Sequence, residues 1–85
     1  MEESLKKIES EITETLKKLE IVIDSISFEE EKKINYLNIV LDKINGIDLD
    51  TIVEATRLIN PIVDKYDESF PTYILDVSSK EKGEL

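Results

Sequence analysis

Apolar residues recur every three or four positions through the first part of the chain. Six of them follow one another 3, 4, 4, 3 and 4 residues apart: Leu5, Ile8, Ile12, Leu16, Leu19 and Ile23. This spacing averages about 3.67 residues per turn, which is close to the period of an unstrained α-helix. The pattern predicts one long amphipathic helix over residues 4–26, with Ile21 pointing away from the apolar stripe.

A second apolar pattern follows over residues 27–45. Ser27 and Glu30 fit a capping box, which is typical of a helix N-terminus. Apolar side chains then cover more than half of a helical wheel: Ile34, Tyr36, Leu37, Ile39, Val40, Leu41 and Ile44. Gly46 suits the left-handed position that often follows a helix. We therefore predict a second helix whose wide apolar arc is contacted from more than one side.

The third segment, residues 48–66, is predicted to be a helix with Asp48 as its N-cap. Its apolar positions stay on one arc across Pro61, which favours a helix that continues through the proline with a kink. A helix that stops at Asn60 and is followed by a separate turn is the alternative.

Residues 67–85 are interpreted as a C-terminal extension whose last residues, 78–85, form a flexible polar tail. Within it, residues 72–77 are rich in β-branched and aromatic side chains, which favours a short strand over one or two helical turns. The predicted fold is therefore all-α. It is a small antiparallel three-helix bundle of up-down-up topology over residues 1–66, with helix packing of the bundle or coiled-coil kind, followed by the extension.

The composition excludes several chemistries. The chain has no cysteine and no histidine, so it lacks thiolates and the imidazole that most often transfers protons at neutral pH. The segment between the second and third helices fails as a calcium loop, because Leu41 and Ile52 would occupy ligand positions if Gly46 were the sixth residue. Its acidic clusters lie at predicted helix starts or in loops, where capping and solubility explain them. We predict no catalytic residues, no metal and no cofactor.

Charge narrows the possible partners. Eleven basic and 20 acidic residues give a net charge of −9, which opposes binding to nucleic-acid phosphates and to anionic membranes. No apolar run reaches the roughly 18 residues of a membrane span, and the acidic N-terminus does not resemble a signal peptide. We expect a cytoplasmic protein that binds neither nucleic acid nor membrane.

Apolar surface left over by the bundle predicts self-association. The first helix is longer than the second, so its first turns lack cover, and the second has more apolar surface than two neighbours need. The candidate interaction surface comprises Leu5, Ile8, Ile21, Tyr36, Ile39 and Tyr73. We predict a non-enzymatic helical protein–protein interaction domain that forms a homodimer or higher oligomer. The alternative function is an acidic inhibitor or DNA mimic that binds a basic groove of another protein. A tail folded back over the surface at residues 70–77 would instead leave a monomer.

Overall fold

The computed structural model describes residues 2–44 and 46–80. Over these residues the chain forms two α-helices and a three-stranded sheet, in the order α1 (Glu2–Leu16), β1 (Ile21–Glu31), β2 (Ile34–Lys43), α2 (Leu49–Asp64) and β3 (Ile74–Ser79). Short 3-10 helices, Lys17–Leu19 and Asp67–Ser69, follow α1 and α2. The central strand β2 pairs antiparallel with β1 and parallel with β3. Both helices pack on one face of the sheet, so the fold is α+β.

The predicted all-α three-helix bundle is wrong. The first helix ends at Leu16 rather than near residue 26, and residues 27–45, predicted as the second helix, lie almost entirely in β1 and β2. The predicted helical-bundle or coiled-coil packing is therefore replaced by helices on a mixed sheet. Only α2 corresponds closely to a predicted helix, residues 48–66.

The chain changes from helix to strand at Glu20. This residue adopts a left-handed conformation with φ of 63°, and its amide donates to the Lys17 carbonyl at 2.9 Å. Three β-branched residues, Ile21 to Ile23, come next, and such side chains favour a strand over a helix. The apolar stripe of the first helix thus continues into β1, although the backbone has changed.

A β-bulge in β1 explains why its apolar spacing looks helical. The pairing with β2 shifts between Ile23 and Ser25, so Asp24 is an extra residue on this strand. An extra residue moves the side-chain alternation by one position. Ile23 and Ile26 therefore lie on the same face although they are three residues apart, which is the spacing of a helix.

The strands β1 and β2 are joined by a tight turn with an unusual sequence. Glu31 pairs directly with Ile34, and the two turn residues, Lys32 and Lys33, have φ of 53° and 68°. Two left-handed residues are characteristic of a type I′ hairpin turn, where Asn-Gly is the preferred sequence. The capping box predicted at Ser27 is wrong, because Ser27 lies within β1, where its hydroxyl donates to Glu29 Oε2 at 3.3 Å.

The core lies between the helices and the sheet. Its buried side chains come from α1, β1, β2, α2 and the segment before β3: Ile8, Ile12, Leu16, Ile21, Leu37, Ile39, Leu41, Ala55, Ile59, Ile62, Val63 and Phe70. Leu75 and Val77 of β3 are partly buried against this core. In β2 the buried residues are alternate ones, as expected for a strand with one face covered. Burial of these apolar side chains is the main favourable term in folding.

Two features predicted for α2 are confirmed, its N-cap and its continuation through Pro61. The Asp48 carboxylate accepts a hydrogen bond from the Thr51 amide at 2.8 Å and caps the helix. The helix continues through Pro61 to Asp64. Gly46 has the positive φ that was predicted, 88°, but it follows a strand rather than a helix.

The predicted C-terminal extension contains an element of the sheet. Strand β3 pairs along β2 from Tyr36 with Ile74 to Leu41 with Ser79, so the strand interpretation of residues 72–77 is confirmed. The prediction of a flexible tail over residues 78–85 is wrong for its first part, because Ser78 and Ser79 belong to β3 and the Lys80 amide donates to the Leu41 carbonyl at 2.7 Å. The rest of it, residues 81–85, lies outside the described residues. Among the described residues, neither helix is long and apolar enough to cross a membrane.

Candidate interaction surface

The sheet has one face that the helices do not cover. Side chains alternate along each strand, so every residue next to a core residue points to this opposite side, here called the open face. Its members are Val22, Ser25, Ser27, Glu29 and Glu31 of β1, Ile34, Tyr36, Asn38, Val40 and Asp42 of β2, and Ile74, Asp76 and Ser78 of β3. All of them are exposed or half-buried in the described structure, so the open face is available for contact.

Acidic residues surround a hollow at the middle of the open face. The hollow has a volume of about 270 Å³ and is lined by Glu29, Glu31, Tyr36, Asn38 and Asp76. The Glu29 carboxylate accepts hydrogen bonds from Asn38 Nδ2 at 3.4 Å and from Ser27 at 3.3 Å. These bonds orient one of three carboxylates that give the hollow a negative potential.

Apolar side chains form the end of the open face next to this hollow. Ile34 and Ile74 are 44% and 50% exposed and line a second hollow of about 530 Å³. The Asn35 side chain donates to the Thr72 carbonyl at 3.0 Å, which holds the segment before β3 against β2. Exposed apolar area beside polar residues is a common feature of protein contact sites.

A groove lies on the other side of β3, between that strand and the end of α2. This β3 groove has a volume of about 360 Å³ and is lined by Asn60, Val63, Asp64, Asp67, Phe70, Pro71, Thr72, Tyr73 and Leu75. Its acidic residues, Asp64 and Asp67, are exposed, whereas the apolar Val63 and Phe70 of the same groove are buried. The carbonyl end of α2 adds partial negative charge.

The Tyr73 ring is fixed in this groove by two phenylalanines. Phe28 and Phe70 are stacked with ring centroids 5.1 Å apart, and Tyr73 meets them edge-on at 6.0 and 5.8 Å. Burial, with a smaller effect from the hydrogen bond to Asp67, raises the pKa of Tyr73 to about 12. The phenol is therefore neutral at physiological pH and donates to the Asp67 carboxylate.

The structure separates the six residues of the predicted interaction surface. Ile8, Ile21 and Ile39 are buried in the core, and Leu5 packs against its edge. Tyr36 lies on the open face, whereas Tyr73 lies in the β3 groove. The acids Glu29 and Asp76 and the exposed Ile34 and Ile74 were not predicted. The alternation of Leu37, Ile39 and Leu41 was the signal that could have placed their neighbours on an outer face.

The described residues contain no group of three or more Asp or Glu side chains arranged to hold a metal ion. Acidic and apolar side chains side by side are instead suited to non-covalent contact with another macromolecule. The sequence matches the RimP N-terminal domain over residues 5–80, which is most of the chain. The chain belongs to the RimP N-terminal domain family. The match extends from α1 to the end of β3 and therefore includes the open face and the β3 groove.

Membership of the RimP N-terminal domain family corrects the predicted function. The family name denotes a ribosome maturation factor, not a helical self-associating domain, and it does not favour an inhibitor or DNA mimic. A ribosome maturation factor acts in a ribonucleoprotein context, so the match gives no support to the expectation that the partners include no nucleic acid. The match gives no support to self-association.

Proposed function

We propose that this chain is a non-enzymatic ribosome assembly factor that binds a ribosomal subunit through the open face of its sheet. The observation that carries the proposal is the match to the RimP N-terminal domain over residues 5–80. A ribosome-associated factor works in the cytoplasm, in agreement with the location expected from the sequence.

The exposure of the open face supports its role as the contact surface. The opposite face is covered by the two helices and holds the core, so apart from the β3 groove at one edge most of it is unavailable for contact. The open face combines exposed apolar groups, Ile34 and Ile74, with a half-buried tyrosine, Tyr36. Aromatic and apolar groups supply most of the free energy at protein contacts.

Charge indicates which component of the subunit the open face meets. Glu29, Glu31 and Asp76 lie in its central hollow, and the chain as a whole carries −9. Phosphates are repelled by such a surface, whereas a basic protein is attracted and its association is accelerated. We therefore infer that the open face binds a protein component of the ribosomal subunit rather than bare RNA.

Sedimentation with purified ribosomal subunits tests this function. The wild-type chain is expected to co-sediment, and the variant Ile34→Thr/Ile74→Thr is expected to bind about threefold to tenfold more weakly, because it removes exposed apolar surface at the contact. Threonine is β-branched and keeps the strand propensity of these positions.

The matched control changes exposed apolar residues of α2. Leu49 and Val53 are 77% and 48% exposed and lie away from the open face, so Leu49→Thr/Val53→Thr should sediment like the wild type. Absence of the wild-type chain from the subunit fractions would contradict the proposed function. Equal losses for both variants would contradict the assignment to the open face.

A further inference from the structure

The outer edge of β3 is an unpaired sheet edge. The Lys80 amide donates to the Leu41 carbonyl at 2.7 Å, so the backbone groups of alternate residues 74, 76 and 78 face β2. The N–H and C=O groups of Leu75, Val77 and Ser79 must then face outward. No strand covers this edge within residues 2–44 and 46–80.

The two edges of the sheet differ in their protection. Strand β1 has a bulge at Asp24 and ends in three glutamates, and both devices are known to prevent pairing at an edge. Strand β3 has regular pairing throughout, contains no proline, and carries one charge, Asp76. Its edge is therefore the one on which another strand can be added.

Acidic groups lie on both sides of the β3 edge. The side chains of an added strand would alternate between the two faces of the sheet. Those on the helix side would enter the β3 groove, which is lined by the exposed Asp64 and Asp67, the buried Val63 and the half-buried Leu75. Those on the other side would come next to Asp76 on the open face.

Among residues 2–44 and 46–80, no basic side chain lines the β3 groove to neutralise its charge. Lys65, the first residue after α2, is engaged by the Glu11 carboxylate of α1. Lysine and arginine bury an aliphatic stem while their cationic head stays exposed. Such side chains fit a groove that is lined by buried apolar residues and exposed acidic ones. The charge of the groove excludes an acidic segment and disfavours RNA.

We propose that the edge of β3 takes up an extended basic segment of another protein as a fourth strand, with basic side chains in the β3 groove. Main-chain hydrogen bonds to residues 75, 77 and 79 supply affinity, and the groove selects positive side chains. The inference rests on the proposed function, since it names the kind of segment through which a ribosomal protein would be held.

A short peptide of alternating lysine and valine, followed by amide hydrogen exchange, tests the proposal. Saturable binding is expected to slow exchange at the outward-facing amides of Leu75 and Val77. The same peptide with N-methylated backbone amides cannot donate to β3, so it should bind more weakly and give less protection. A peptide of alternating glutamate and valine should not bind.

Charge variants test the groove separately from the edge. Asp64→Asn/Asp67→Asn should weaken binding of the lysine peptide about threefold to tenfold, since two attractive charges are lost while Asn keeps an acceptor for Tyr73. Asp50→Asn/Glu54→Gln is the control, because it removes equal charge from the exposed start of α2. Equal weakening in both variants would overturn the assignment of the groove.

Other outcomes separate this proposal from the function on which it rests. A chain that co-sediments with ribosomal subunits but shows no slowed exchange at Leu75 and Val77 with the lysine peptide would overturn strand addition and leave the proposed function intact. A chain that shows this protection without co-sedimenting would support strand addition and count against the ribosomal function. If exchange at Leu75 and Val77 slows with rising protein concentration in the absence of peptide, the added strand comes from a second copy of the chain. That result would overturn the proposal that a basic segment of another protein occupies the edge.

Discussion

At the scale of single residues, Glu11 joins the two helices. Its carboxylate accepts hydrogen bonds from the Lys65 ammonium and from the Tyr66 hydroxyl, which both lie just beyond the end of α2. The bond from Lys65 is the main reason, with the bond from Tyr66 second, that the pKa of Glu11 lies below its usual 4.5. The same contacts raise the pKa of Lys65 and of Tyr66. This connection fixes the end of α2 against α1.

The Glu11 contact predicts a pH dependence of stability. A carboxyl group with a lowered pKa in the folded state stabilises that state above pH 4.5, and this stabilisation is lost as pH falls through the folded pKa. Glu11→Gln should therefore lower the unfolding temperature at neutral pH. Between neutral and acidic pH, the unfolding temperature of this variant should fall less than that of the wild type. Thermal unfolding followed by circular dichroism at several pH values measures both effects.

Glu9→Gln is the control for this experiment. Glu9 is exposed on the same helix and makes none of the hydrogen bonds or ion pairs found for Glu11 in the described structure. If both variants unfold at the same temperature at every pH, Glu11 does not join the helices in solution.

At the scale of elements, the β1–β2 hairpin closes with unfavourable turn residues. Lys32 and Lys33 both adopt left-handed conformations, which are strained by a Cβ atom and which glycine and asparagine adopt more readily. The same residues explain why the hairpin is hard to recognise, because the usual signal is Asn-Gly or Asp-Gly between alternating apolar positions.

Replacing the turn by its preferred sequence should stabilise the protein. Lys32→Asn/Lys33→Gly is expected to raise the free energy of unfolding by about 1 kcal/mol, since two strained conformations are relieved. Chemical denaturation monitored by circular dichroism gives this value.

The same pair of substitutions at Lys6 and Lys7 provides a contrast. These residues lie within α1, where glycine costs about 1 kcal/mol relative to a good helix former. Stabilisation by the substitutions at Lys6 and Lys7 would contradict their placement in α1, and loss of stability at the hairpin would refute the I′ assignment of the turn.

How much of the fold could be read from the sequence also differs from element to element. For α2, a capping aspartate and an unbroken apolar arc were sufficient, even across Pro61. In β1, the bulge turns the two-residue period of a strand into a three-residue step, which looks helical. In β2, apolar residues on both faces of the strand also fit one broad side of a helix, so the alternation of Leu37, Ile39 and Leu41 was not recognised. Tyr36 and Tyr73 were predicted to belong to an interaction surface, and this stays a prediction. Their acidic neighbours depend on the strand register, which no local sequence pattern contained.

At the scale of the whole molecule, one core holds all the elements together. Leu16 of α1 and Ile39 of β2 are both fully buried in it, although they come from different layers. Because interiors are closely packed, loss of volume at either position is felt by the entire domain.

Truncation of a core residue should therefore destabilise the whole protein. Leu16→Ala and Ile39→Ala are each expected to lower the free energy of unfolding by about 2–5 kcal/mol through lost burial and the cavity that remains. Equilibrium denaturation in urea measures these losses. Lys17 is the next residue and is exposed, so Lys17→Ala should change the free energy of unfolding by less than about 0.5 kcal/mol. Comparable losses at Leu16 and Lys17 would contradict the packing of α1 described above.

The parallel pairing of β2 with β3 has a consequence for the order of folding. The hairpin β1–β2 joins residues close in sequence, whereas Asn35 meets Thr72 across a separation of 37 positions. Contacts at long sequence separation form late because the intervening loop loses entropy before they stabilise anything. During synthesis, the apolar side of β2 therefore stays partly uncovered until α2 and β3 have been made. The exposed edge of β3, the last strand among the described residues, is therefore expected to be completed only after the hairpin and α2 have been made.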